Sequence, residues 1–181
     1  MLSIINPATA APMAEIAVDN ATAVQRKAAV ARAAQPTWAA LPLTERISLI
    51  HQFRQLLQQQ QSRLAAILTA ETGKPIAQAE AEIGATLERI DFFTAQVAAV
   101  ITPTIAHQDC SSVPGSARLE EVITHEPLGV VANISAWNYP YFVGANVFIP
   151  ALLTGNAVLY KPSEFASLTG QAIADLFHTA G

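Results

Sequence analysis

The chain has 181 residues, 51% of them apolar, with 10 Lys or Arg against 14 Asp or Glu and a formal net charge of −4. That balance excludes a disordered polyelectrolyte, which needs low hydrophobicity and high net charge, and a basic binder of phosphate backbones. The single Cys excludes a disulfide scaffold and a thiolate-rich zinc cluster, so neither a nucleic acid nor a metal is expected as ligand and the expected location is cytoplasmic.

Length suits one domain or slightly more, at ~100–200 residues each. Residues 1 to about 18 read as extended chain, and Asn6-Pro7 and Pro12 interrupt the start, which has no basic segment and predicts no secretory leader. Asp19-Asn20-Ala21-Thr22 supplies helix-capping side chains, and from there to residue 101 the Ala- and Gln-rich sequence predicts four helices. The first is expected over about 20–34, stopping before Pro36. Leu43, Ile47, Ile50, Phe53 and Leu57 make one apolar stripe on the second. The third opens near Ser62, turns Leu64, Ile67 and Leu68 inward and ends at Gly73. The fourth runs from Pro75, with Ile76, Ile83, Leu87, Ile90, Val97 and Ile101 along one side. The Gln58-Gln59-Gln60-Gln61 run reads as a solvated helix end.

Thr102 to Ser116 is expected to be a loop, rich in Pro, Ser, Asp and Gly. It holds Cys110 three residues after His107; spacing alone gives no thiolate-forming geometry, so Cys110 is read as a free thiol. Arg118 to Thr124 is strand-like. From Pro127 to Tyr160 no side chain is charged, over a length greater than the ~20 residues of a membrane helix. Three prolines, three glycines and four asparagines cut that run into short pieces, so buried strands and a buried helix are expected and no membrane partner is. Gly129 to Ser135 reads as a strand, Tyr141 to Leu153 as a helix ended by Gly155-Asn156, and Ala157 to Tyr160 as a second strand. Together they have the size of a right-handed βαβ crossover, and Ser167 to Thr179 begins the next helix. Ligands of such sheets sit beyond the carboxyl ends of the strands, where Ala136-Trp137-Asn138-Tyr139-Pro140 and Lys161-Pro162-Ser163-Glu164 form the two loops. No Gly-x-Gly-x-x-Gly segment lies between them.

Four separate blocks carry a resemblance. Pro127-Leu128-Gly129-Val130-Val131, Trp137-Asn138-Tyr139-Pro140, Pro150-Ala151-Leu152-Leu153-Thr154-Gly155-Asn156 and Lys161-Pro162-Ser163-Glu164 resemble, in order and spacing, the opening of the cofactor domain of the aldehyde dehydrogenase superfamily. Ile5-Asn6-Pro7-Ala8-Thr9, Trp38, Glu45-Arg46 and Glu71-Thr72-Gly73-Lys74-Pro75 resemble the same family's amino-terminal helical region. The resemblance implies an α/β fold: an amino-terminal helical segment followed by the first βαβ unit of a Rossmann-like cofactor domain, as an incomplete aldehyde dehydrogenase fold. Residues 1–117 would form the helical part, 118–126 an oligomerisation strand and 127–181 the start of the NAD(P)-binding sheet, with the catalytic domain and its nucleophilic Cys outside this sequence.

The implied activity is oxidation of a small aldehyde to a carboxylic acid with NAD or NADP, through a cysteine thiohemiacetal, hydride transfer and thioester hydrolysis, in a homo-oligomer. Asn138 matches the oxyanion-hole residue, and an Asn there also suits an N-cap of the helix behind Pro140. Lys161 and Glu164 match residues reaching the adenosine ribose, with Ser163 beside them, and Glu164 is compatible with NAD because a 2′-phosphate would meet like charge. Ile134, Ser135 and Trp137 would line the cofactor groove, Trp137 being equally suited to a core, and Ala136 departs from the Pro common before the Trp-Asn pair. The early helices and Tyr139-Pro140-Tyr141-Phe142 would contribute one wall of the aldehyde tunnel. The expectation is an amino-terminal part that does not turn over substrate by itself; the alternative is a non-catalytic product that associates with a full-length homologue or is unstable.

Overall fold

The computed structural model describes residues 1–109 and 119–181, so Cys110 lies outside the described residues. The extended start is a hairpin in which β1 (Leu2–Ile5) pairs antiparallel with β2 (Pro12–Ile16). Four helices follow: α1 (Ala21–Ala40), α2 (Leu43–Gln59), α3 (Gln61–Thr72) and α4 (Ile76–Ile101). Apart from Ile76, which is exposed at the start of α4, the apolar stripes fall where their spacing placed them. Ile50, Phe53 and Leu57 of α2, Leu64 and Leu68 of α3, and Ile83, Leu87, Ile90 and Val97 of α4 are all buried in one core. Gly73 closes α3 in the left-handed conformation, at φ 76°.

Two expectations fail. The first helix does not stop before Pro36 but runs through it to Ala40. Proline inside a helix forfeits a backbone hydrogen bond and costs about 3 kcal/mol. The last turn persists because its side chains bond elsewhere: Gln35 Nε2 donates to the Gly155 carbonyl and Trp38 Nε1 to that of Leu152, both at 2.9 Å. The second correction lies between 102 and 109, expected as loop, where Thr104–Gln108 forms β3 and pairs antiparallel with β4 (Glu120–Ile123). Every residue of both strands is exposed, so no alternation of apolar and polar side chains signalled the ribbon.

The βαβ unit is present. β5 (Val130–Ile134) and β6 (Ala157–Lys161) pair in parallel, with Val130 opposite Ala157 and Ile134 opposite Lys161. Between them α5 (Pro140–Leu153) is buried against α4 and α2 on one side and the two strands on the other. α6 (Ser167–Ala180) follows β6 and rests on α2 and α3. An aromatic cluster ties these elements: Phe53 of α2 stacks on Phe177 of α6 at 3.9 Å, and Phe148 of α5 meets Phe53, Phe177 and Tyr160 edge-on at 6.2, 5.3 and 5.9 Å.

The ends of α5 and α6 are satisfied from a distance. Neither has an N-cap side chain of its own making the usual bond. Instead the buried Glu82 carboxylate of α4 accepts from Tyr141 N (2.8 Å) and Phe142 N (3.3 Å), and Glu71 of α3 accepts from Leu168 N (2.7 Å), Thr169 N (2.9 Å) and Thr169 Oγ1 (2.9 Å). At the other end of α5, Arg46 donates from Nε to the Leu153 carbonyl at 3.0 Å, and from Nη1 to the carbonyls of Ala39 and Leu41. Negative charge at the N-terminus and positive charge at the C-terminus both complement the helix dipole, most effectively where water is excluded.

Replacing Glu71 by Ala would strand three donors at the start of α6. The expected loss is about 2–3 kcal/mol in urea unfolding of the chain, whereas Glu71→Gln, which keeps one acceptor oxygen, should lose clearly less. Equal losses for the two variants would mean that size and not hydrogen bonding holds this joint.

Candidate functional site

The parallel register brings the two candidate loops to one end of the sheet. Ile134, the last residue of β5, lies opposite Lys161, the last of β6, and Ser135 N donates to the Lys161 carbonyl at 3.0 Å, extending the pairing by one residue. Both loops therefore leave the same carboxyl edge, where open α/β sheets take their ligands.

In the first loop Ser135 is buried, Ile134 is 78% exposed and Trp137 54% exposed. Trp137 is a surface residue and not part of the core. Asn138 is exposed, and it does not cap α5: Tyr139 occupies the N-cap position without a side-chain bond, and Glu82 takes the free N–H groups. Its carboxamide makes no hydrogen bond among the described residues and is left to face outward. The loop is nevertheless fixed on both sides of it. Pro140 opens the helix with its φ already set, and the Lys74 ammonium lies 3.9 Å from the Tyr139 ring centroid while pairing with Glu82. Lys74 and Glu82 thus form a support that the sequence did not reveal, because the spacing along the chain carries no sign of it.

The second loop is pressed onto α6 at Gly170. A Cβ on Gly170 would stand 2.4 Å from Pro162 Cγ, a distance no side chain can occupy, so glycine permits this approach. Ser163 is buried and its Oγ accepts from Phe165 N at 3.3 Å, starting a 3₁₀ turn over Glu164–Ala166. Lys161 Nζ lies 3.3 Å from Glu164 Oε2, with both side chains more than half exposed. The Glu164 carboxyl is held below its ordinary value, first by its own backbone N–H and next by Lys161. Exposed pairs of this kind are weak, so ammonium and carboxylate remain available as a donor and an acceptor set side by side.

A cavity of about 280 Å³ opens beside the first loop, lined by Gln78, Ala81, Glu82 and Ala85 of α4 and by Tyr139 and Phe142. No helix among the described residues is long and apolar enough to cross a membrane.

Residues 1–181 match the aldehyde dehydrogenase family, and the chain belongs to it, as its amino-terminal portion. N-succinylglutamate 5-semialdehyde dehydrogenase of Novosphingobium aromaticivorans is 35% identical over 158 residues, which are 87% of this chain and 32% of that protein. Among solved structures, NADP-dependent glyceraldehyde-3-phosphate dehydrogenase from Bacillus halodurans C-125, complexed with NADP, superimposes with a TM-score of 0.90 at 30% identity, over 99% of this chain and 37% of that one. A Sinorhizobium meliloti 1021 protein described as a methylmalonate-semialdehyde dehydrogenase, complexed with NAD, gives a TM-score of 0.88 at 30% identity, over 99% and 35%. The chain spans about a third of the length of these relatives.

Removing the ammonium in Lys161→Met should raise the Glu164 pKa, but only part of the way to an ordinary glutamate, because the backbone N–H remains. A carboxyl-carbon NMR titration reads this directly. The sign follows from linkage: a depressed carboxyl stabilises the fold above its unfolded pKa, and that contribution disappears as pH falls through the folded value. A Glu164 titration that does not move would remove Lys161 as its partner.

Proposed function

We propose that this chain is the amino-terminal part of an NAD(P)-dependent aldehyde dehydrogenase that oxidises a small aldehyde to a carboxylic acid. The observation that carries the reading is the shared sheet edge, where the Asn138 loop and the Lys161–Glu164 loop project side by side. The donor set fits a dinucleotide: the Lys161 ammonium donates and the Glu164 carboxylate accepts, as a vicinal diol such as the adenosine ribose requires. Ser163 keeps Glu164 at the turn, and Ile134, Ser135 and Trp137 form the floor of the groove. The dinucleotide supplies the hydride acceptor. NAD suits the Glu164 carboxylate, and the Lys161 ammonium together with Ser163 leaves room for NADP.

Asn138 is the group of this chain that acts on the reacting carbonyl. Its side-chain NH2 donates to the oxygen as negative charge develops, and a rigid loop makes that donation effective because the dipole needs no reorientation during the reaction. Pro140, the Glu82 carboxylate and the Lys74–Tyr139 contact supply the rigidity. The α4 cavity is the aldehyde's approach, with Tyr139 and Phe142 as one wall. The β3–β4 ribbon, every residue of which is exposed, is suited to pairing between subunits of a homo-oligomer. The single Cys fits a reducing, cytoplasmic location.

In the full-length enzyme, Asn138→Ala should lower kcat by roughly two to three orders of magnitude with a smaller change in KM. A kcat within a factor of about three of the parent would refute the oxyanion role. The 181-residue chain assayed alone should give no aldehyde-dependent reduction of NAD or NADP, and turnover that survives removal of full-length contaminants would contradict the division of labour proposed here.

A further inference from the structure

Arg89 has no place in the machinery described so far. Its neighbours on α4 at three and four residues in either direction are Ala85, Thr86, Phe92 and Phe93, so no carboxylate stands within the usual helical reach. Among the described residues it makes no hydrogen bond and no ion pair. Two acidic groups of the same helix are committed elsewhere, Asp91 to Arg54 in a two-pronged pair at 2.5 and 2.7 Å and Glu82 to Lys74 and the start of α5, and the adjacent Glu88 is exposed. Arg89 is half-buried, unlike Arg26 and Arg32, the exposed arginines of α1. Its guanidinium lies 5.2 Å from the Phe142 ring centroid, 5.8 Å from that of Phe92 and 5.9 Å from that of Phe93. Rings hold the position of the cation without neutralising it.

Phe142 also lines the α4 cavity, and Ala85 and Ala81, one and two turns before Arg89 on the same face of α4, form its wall. These small side chains leave open space along α4 beside the Phe142 ring, the same ring on which the guanidinium rests. We propose that Arg89 selects aldehydes bearing a carboxylate at the end remote from the aldehyde, so that the substrate class is an anionic semialdehyde. This rests on the cavity's being the aldehyde approach. A planar guanidinium suits a carboxylate because two parallel N–H groups match its two oxygens, and the aromatic seat reduces the ordering needed when they meet.

The test uses the full-length enzyme and two matched pairs of substrates, 4-oxobutanoate against butanal and 5-oxopentanoate against pentanal. For at least one pair, Arg89→Met should reduce the acid-to-neutral ratio of kcat/KM by about 10- to 100-fold, mainly through KM of the acid, and Arg89→Lys should restore a good part of it. A ratio that does not move in Arg89→Met, or a parallel loss for acid and neutral aldehydes, would overturn the proposal and leave Arg89 as a cover for the aromatic rings. An enzyme that oxidises none of the four aldehydes would overturn the reading of the function itself, and this inference with it.

Discussion

The structure depends on how α5 is held at its two ends. A helix buried on several sides has nowhere to send the unsatisfied N–H and C=O groups of its termini, and each one left unpaired costs about 1–3 kcal/mol. Here Glu82 meets the N-terminus, and Arg46, Trp38 and Gln35 meet the carbonyls at and beyond the C-terminus. Two charged side chains are thereby taken out of water; burial lowers the Arg46 pKa, and three carbonyl oxygens accept from its guanidinium. Buried charges are tolerable only with such complete pairing.

The same contacts explain why a helical layer precedes the sheet. The α3 and α4 helices carry the carboxylates that start α6 and α5, and α1 and α2 carry the donors that end α5. The β5–α5–β6 unit and α6 are thus not free-standing. What they present at the sheet edge, an exposed carboxamide and a weakly paired ammonium and carboxylate, is polar and uncommitted because the structural hydrogen bonding is done elsewhere. Gly155, at φ 84° just past α5, where a Cβ would stand 3.4 Å from Ala39 Cα, and Gly170 under Pro162 let α1 and α6 close on that unit.

Much of the architecture was legible in the sequence because it is written in local periodicity. The stripes of α2, α3 and α4, the left-handed Gly73 and the β5–α5–β6 succession all stand where spacing placed them. What was not legible is non-local. Glu82 and Tyr141 are 59 residues apart and Glu71 and Leu168 are 97 apart, so neither carboxylate announces itself as a cap. The conspicuous Glu71-Thr72-Gly73-Lys74-Pro75 and Glu45-Arg46 segments flagged family membership without disclosing these tasks. The run of α1 through Pro36 and the β3 strand failed for the same reason: tertiary bonds and cross-strand pairing outweighed a local stop signal and an unpatterned segment. For Asn138 the local reading left two roles open, and the remote Glu82 removed the capping one.

In the proposed function one sheet edge supplies both the hold on the dinucleotide and the donor to the reacting carbonyl. A crystal structure of the full-length enzyme with NAD bound tests it most directly. Ribose hydroxyls are expected within hydrogen-bonding distance, about 2.7–3.2 Å, of Lys161 Nζ and a Glu164 carboxylate oxygen, with the cofactor running past Ile134 and Trp137 toward Asn138. A dinucleotide bound on another face of the sheet, touching neither Lys161 nor Glu164, would contradict it.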